Sequence, residues 1–140
     1  MTIYEKIAEL GLIMILHAGW DVSFPDSMRA GPEACAKMAG DFPGAKIVLA
    51  HFGGMMRWDG VERHLCGRDV YFDLSFVNPF LDPAQAKRMI GLHDPEKLLF
   101  GTDCPWSAAP DLMKYIDGLG LDAALREKIY YKNALRLLGE

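Results

Sequence analysis

The sequence predicts an α/β domain built on a parallel sheet, and three observations predict it. Short apolar runs alternate with stretches of helical periodicity, which is the order of strands and helices in βα units. The first of them, Leu12 to Leu16, is apolar throughout rather than on alternate residues, as in a strand buried on both faces. The runs lead into potentially reactive side chains at intervals close to the roughly 30 residues that one unit of a (β/α)₈ barrel occupies. Composition agrees: 140 residues, 51% hydrophobic and 24% charged, suit one globular unit over residues 1–140 with no linker, repeat or low-complexity stretch. They exclude a disordered tail, a collagen-like fibre and a coiled coil.

Taken in order, residues 3–10 predict a helix, with Ile3, Ile7 and Leu10 at helical spacing and Gly11 as its stop. Residues 12–16 predict the first strand. A polar loop over residues 19–31 follows, and Pro32 opens a helix over residues 32–40. After the Phe42-Pro-Gly turn, residues 46–50 predict the second strand. Trp58, Val61 and Leu65 then form a helical stripe, with Trp58 on its core face. Residues 70–74 predict the third strand, and Asp82 is placed to cap a helix over residues 83–92. Residues 97–100 predict the fourth strand. Two helices close the chain, over residues 111–118 and 122–138.

Several function classes fall away on charge and patterning. A net charge of −4 with no basic patch excludes an electrostatic nucleic-acid binder. The longest apolar run, Leu12 to Leu16, is too short to span a bilayer, so no membrane partner is expected. The N-terminus lacks the basic and apolar regions of a signal peptide. Three widely spaced cysteines without a CxxC pair give no disulfide framework, and a reducing cytoplasm is the expected location.

The chemistry sits at the strand ends. The first strand runs into His17, the second into His51, and the fourth through Gly-Thr into Asp103; the third carries Asp73 and Ser75. Taking Ser75 as the third marker, the intervals are 34, 24 and 28 residues. Parallel strands put their C-terminal ends on one face, where α/β proteins build sites. Each residue has a plain alternative: a histidine there also satisfies loop carbonyls, and an aspartate caps turns. Their shared placement favours one polar site. Imidazole and carboxylate are usual ligands of a divalent ion with an open position, and an unligated histidine beside it shuttles protons or polarises a carbonyl. Trp20 and Trp106, in loops on the same face, are candidates to line a substrate pocket. Arg57 is a candidate to pair with a substrate carboxylate, against an ordinary surface ion pair. His64 and His93 are expected at the surface or as caps, and Cys104 as packing.

The elements Leu-His17-Ala-Gly-Trp, Leu-Ala-His51-Phe-Gly-Gly, Val-Tyr-Phe-Asp73-Leu-Ser75 and Leu-Leu-Phe-Gly-Thr-Asp103-Cys-Pro-Trp106 occur in that order. Together with the closing Asn133-Ala-Leu-Arg-Leu-Leu-Gly139, they resemble the C-terminal half of the amidohydrolase 2 family, the aminocarboxymuconate-semialdehyde decarboxylase-like metal-dependent hydrolases. The resemblance implies the C-terminal half of a (β/α)₈ TIM barrel, about four parallel strands with their helices. It implies His17 as a metal ligand, His51 as the acid/base or polarising histidine, and Asp103 as a ligand that also handles a proton. It further implies hydrolysis or non-oxidative decarboxylation of a small carboxylated or cyclic substrate, with zinc first and manganese second.

The chain departs from the family in one respect. The His-x-His pair that the family's first strand supplies occurs nowhere here, leaving His17 and Asp103 as two ligands where catalytic zinc takes three from protein. The isolated chain is therefore expected to hold metal poorly. Four strands cut from a barrel leave open edges and an apolar inner face, so association is expected, as a homodimer or with an N-terminal barrel half. The rival reading is a non-catalytic half-barrel module, or a truncated fragment lacking those ligands.

Overall fold

A computed structural model describes residues 2–140. Helix α1 (Ile3–Glu9) starts from a capping box: the Thr2 hydroxyl accepts the Glu5 N–H while the Glu5 carboxylate accepts the Thr2 N–H. Strands β1 (Met14–Leu16), β2 (Ile47–Leu49), β3 (Tyr71–Asp73) and β4 (Leu98–Leu99) pair in chain order, and every pair is parallel. Between them lie α2 (Pro32–Asp41), α3 (Trp58–His64) and α4 (Pro83–Leu92). The Asp82 side chain caps α4 by accepting the N–H groups of Ala84 and Gln85, as its sequence position predicts. After β4 come α5 (Ala109–Gly118), α6 (Ala123–Glu127), a π turn over Lys128–Lys132 and α7 (Asn133–Leu138). The architecture is the predicted half of a TIM barrel. No helix among the described residues is long and apolar enough to cross a membrane.

Register decides what each face of the sheet does. Leu16, Leu49, Phe72 and Leu98 align across the strands, and with Met14 and Ile47 they face the helices. Leu49, Phe72 and Leu98 are fully buried there, each contributing about 1.5–3 kcal/mol of apolar burial. The opposite face carries Ile15, Val48, Tyr71, Asp73 and Leu99. Ile15 on that face, an apolar side chain in mid-strand, is 70% exposed.

That inner face and one edge are more covered than cutting a barrel in half suggests. Leu137 and Ala134 of α7 pack against Val48, Leu99, Ile13 and Tyr71. At the π turn the Asn133 N–H reaches back to the Lys128 carbonyl, which frees the Ile129 carbonyl to accept the Phe100 N–H at 2.9 Å. The Asn133 amide donates to the carbonyls of Leu98 and Pro95, both at 2.8 Å. The outer edge of β4 is thus capped by the chain's own C-terminal helix. Among the described residues, β1 pairs with β2 alone.

Two side chains lie elsewhere than their sequence positions suggest. His93 does end α4, but it is buried rather than at the surface. Its Nδ1 accepts the Gly67 N–H at 3.1 Å, its Nε2–H donates to the Val70 carbonyl at 3.0 Å, and its ring lies 4.2 Å from that of Phe72. Cys104 is exposed instead of packed. His64 is half-exposed, facing Glu33 at 3.3 Å.

Candidate active site

The loops that leave β1 and β2 are bound to each other through glycine. Gly19, at φ 97°, bridges both Ala30 and Met55, and a Cβ there would sit 2.1 Å from the Met55 nitrogen. Only glycine allows so close a backbone approach. Hydrogen bonds from Met55 N–H to the Ala18 carbonyl (2.7 Å) and from Trp20 N–H to the Met55 carbonyl (2.8 Å) complete the junction. His17 and His51 are thereby held at one rim.

Their side chains meet. His51 Nε2 lies 3.1 Å from His17 Nδ1, with ring centroids 4.9 Å apart in an edge-on arrangement. His51 is buried, its Nδ1 lying 3.1 Å from the Ser75 carbonyl and 3.3 Å from the Ser75 hydroxyl. The exposed His17 turns its Nε2 toward the Trp20 carbonyl at 3.2 Å. Trp58 anchors the second loop, its indole N–H donating to the His51 carbonyl at 3.0 Å. It is buried at the start of α3, as its place in the helical stripe predicts.

Asp103 faces the same space. A cavity of about 460 Å³ is lined by His17, His51 and Asp103, with Trp20, Phe76, Phe80 and Trp106 among its walls. Three of its lining residues, His51 (φ 58°), Phe76 (φ 53°) and Asp103 (φ 60°), hold left-handed backbone without being glycine. Each such residue costs about 1–2 kcal/mol, a type of strain that gathers at functional sites. Arg57 lies elsewhere: it lines a neighbouring cavity of about 440 Å³ with Glu33, Asp59 and Arg63, which shares Phe80 as a wall.

The donor set decides how far this face goes toward a metal centre. Among the described residues no group of three or more His, Cys, Asp or Glu side chains is placed to hold an ion. His17 and Asp103 are two donors where a catalytic zinc takes three from protein. The chain's residues alone therefore do not make a complete metal site, and the chemistry they offer by themselves is that of two imidazoles and a carboxylate.

His17, His51 and Asp103 stand out in the sequence at their strand ends, whereas the residues around them do not. Met55, Phe76 and Phe80 line the cavity beside the predicted tryptophans. Asp73, singled out only as a strand end, holds the N–H groups of His51 (3.2 Å) and Ser75 (2.9 Å) on one carboxylate oxygen. The signal was present in Asp-Leu-Ser, since an aspartate two residues before a turn residue commonly bonds to that residue's backbone.

Half of a (β/α)₈ barrel with two histidines and an aspartate at the C-terminal ends of its strands carries those side chains on the face where barrel proteins build their sites. Comparison with known proteins makes the assignment specific. The sequence profile of the Amidohydrolase family (amidohydrolase 2) matches residues 1–139, and the chain belongs to that family. No curated protein matches it. Among solved structures it is similar to an uncharacterized TIM-barrel protein from Bordetella bronchiseptica, with a TM-score of 0.73, 22% identity, and 97% of this chain covering 48% of that one. It is also similar to a putative 2-pyrone-4,6-dicarboxylic acid hydrolase from Pseudomonas putida, with a TM-score of 0.69, 20% identity, and 98% and 55% coverage. A dihydroxybenzoic acid decarboxylase from Polaromonas, with manganese and 2-nitroresorcinol bound, matches with a TM-score of 0.67, 15% identity, and 97% and 52% coverage. The chain thus spans about half the length of the structures it matches.

Proposed function

We propose that this chain forms the C-terminal half of the active face of a decarboxylase or hydrolase that takes a small carboxylated ring compound. One observation carries the reading: His17, His51 and Asp103 line a single cavity together with four aromatic side chains. Trp20, Phe76, Phe80 and Trp106 suit a planar ring as substrate, with the polar residues approaching it from the strand ends. Decarboxylation breaks the bond between the ring carbon and the carboxylate; the electron pair stays on the carbon, carbon dioxide leaves, and that carbon takes a proton. Asp103, or His51 once it has taken up a proton on Nε2, delivers that proton, and the buried contact with Ser75 holds the His51 ring in place. In hydrolysis the same groups act on water: Asp103 takes its proton, and His51, once protonated on Nε2, steadies the oxyanion. The Polaromonas protein is named for removal of a ring carboxylate and the Pseudomonas protein for hydrolysis of a ring compound, which supports both chemistries.

A divalent ion, zinc or manganese, belongs to this proposal only once another half completes the barrel, with His17 and Asp103 as this chain's share; the manganese in the Polaromonas structure supports that. The proposed partner pairs at the β1 edge and covers Ile15, either as an N-terminal barrel half or as a second copy. With either partner, closing the barrel pairs the β4 edge as well, so the C-terminal helix that caps it has to give way. Arg57 is proposed to take a second carboxylate at the substrate's far end, across the Phe80 wall. The location proposed is the cytoplasm.

A second reading, a half-barrel that binds without turnover, is favoured by the two-donor count. The test is release of carbon dioxide or ring opening from hydroxylated benzoates and pyrone carboxylates by the assembled protein, with and without His51→Asn. Turnover that falls at least about a hundredfold in the variant supports catalysis by His51. Turnover equal in both would refute it, and ring binding without turnover selects the second reading.

A further inference from the structure

His51 reaches the cavity on a turn that is costly to hold. His51, Phe52 and Gly53 take φ angles of 58°, 53° and 77°, and the two non-glycine residues cost about 1–2 kcal/mol each in that region. The bonds that fasten this turn to the next strand come from one residue. Asp73 Oδ1 accepts the His51 N–H at 3.2 Å, and the Asp73 carbonyl accepts the Phe52 N–H at 2.7 Å. The same Oδ1 accepts the Ser75 N–H at 2.9 Å, curling the chain after β3 so that the Ser75 carbonyl and hydroxyl both face His51 Nδ1. Asp73 therefore fixes the backbone from which the imidazole hangs and also the group it hangs against.

A count of protons gives this a chemical consequence. The contacts run from the Trp20 carbonyl through His17 Nε2 and Nδ1, on to His51 Nε2 and Nδ1, and end at the Ser75 carbonyl. Two neutral rings carry two protons for those three contacts. The buried Ser75 carbonyl only accepts, whereas the Ser75 hydroxyl, farther away at 3.3 Å, accepts as readily as it donates; the His51 proton therefore belongs on Nδ1, where leaving it out would strand a buried acceptor. His51 then meets the His17 Nδ1–H with a bare Nε2. The contact without a proton falls at the exposed end, on His17 Nε2.

We propose that Asp73 is a positioning residue: through its bonds to the His51 and Ser75 backbone it sets the Nδ1–H tautomer of His51 and leaves His17 Nε2 unprotonated at the exposed end, beside the Trp20 carbonyl. The catalytic value of this arrangement rests on the function proposed above. The tautomer itself is read without turnover, so the two ideas fail separately.

Long-range ¹H–¹⁵N correlation spectra of the full chain at about pH 8.5, some two units above the ordinary imidazole value, report which ring nitrogen carries the proton. The expected His51 pattern is a protonated Nδ1 and a bare Nε2. Ser75→Ala, which keeps the carbonyl and drops the hydroxyl, is expected to leave that pattern in place. Asp73→Asn keeps the shape but removes the charge; it is expected to give mixed tautomers, with about tenfold faster exchange of the His51 and Ser75 amide protons. A protonated Nε2 on His51 in the unmodified chain overturns the proposal whether or not the variants fold. A tautomer switch in Ser75→Ala, or an Asp73→Asn chain with unchanged spectrum and exchange, overturns it as well.

Discussion

Lowering the pH from 7.5 to 5 tests the buried His93 directly. Burial lowers its pKa from the ordinary imidazole value, outweighing the Val70 carbonyl and Asp94, which pull the other way; Lys97 adds to the lowering. The hydrogen bonds require the neutral ring, because Nδ1 already accepts the Gly67 N–H. Protonating Nδ1 sets two donors face to face and strands a backbone N–H, at about 1–3 kcal/mol. The unfolded chain binds the proton more readily than the folded one, so stability is complete above the ordinary value near 6.5 and is lost as pH falls below it. One such group supplies a slope of at most about 1.4 kcal/mol per pH unit, down to the folded pKa. Urea unfolding at about pH 7.5, 6.5, 5.5 and 5 is expected to show this fall. His93→Gln, less stable throughout, is expected to flatten it in that window. A wild-type curve that is flat there, or one equally steep in the variant, would refute the reasoning.

Other consequences are as readily measured. Gly19→Ala forces a Cβ against the Met55 backbone at a positive φ, so a loss of about 2–6 kcal/mol is expected from strain and overpacking. Nuclear Overhauser contacts between the His17 and His51 rings should vanish with it, and a stability change under about 0.5 kcal/mol would contradict the glycine clamp. Asn133→Ala strands the Leu98 and Pro95 carbonyls and is expected to cost about 2–4 kcal/mol in denaturant unfolding. A near-neutral result would mean that the β4 edge is not held by this side chain.

Much of this was legible in the sequence because the signals were local. Short apolar runs marked all four strands, though the ladders are shorter than the runs: Ile47–Leu49 pairs where residues 46–50 are apolar-rich. The chain thins to loop at each strand end because there the backbone turns to present a side chain. His17, His51 and Asp103 were visible because parallel strands bring their C-terminal ends together. What remained hidden depends on contacts distant in sequence. His93 looks like a turn residue until Gly67 and Val70 are brought to it from 26 and 23 residues away. Asp73 looks like a strand end until the His51 turn folds over it. Arg57 follows His51 closely in sequence, yet the left-handed turn and α3 carry it into the adjoining cavity. The capped β4 edge depends on a π turn that no periodicity announces.

The claim on which the rest depends is that His17 and Asp103 present their ligand atoms to one shared space. Titrating Mn²⁺ into the ¹⁵N-labelled chain and following paramagnetic broadening measures this most directly. The side-chain and backbone signals of His17 and Asp103 are expected to broaden together, before those of Asp59 in the neighbouring cavity, and His17→Ala should abolish the early broadening of Asp103. If Asp103 broadens unchanged without His17, or the first residues affected lie around Asp59, the two side chains do not share a site and the proposed active face is wrong.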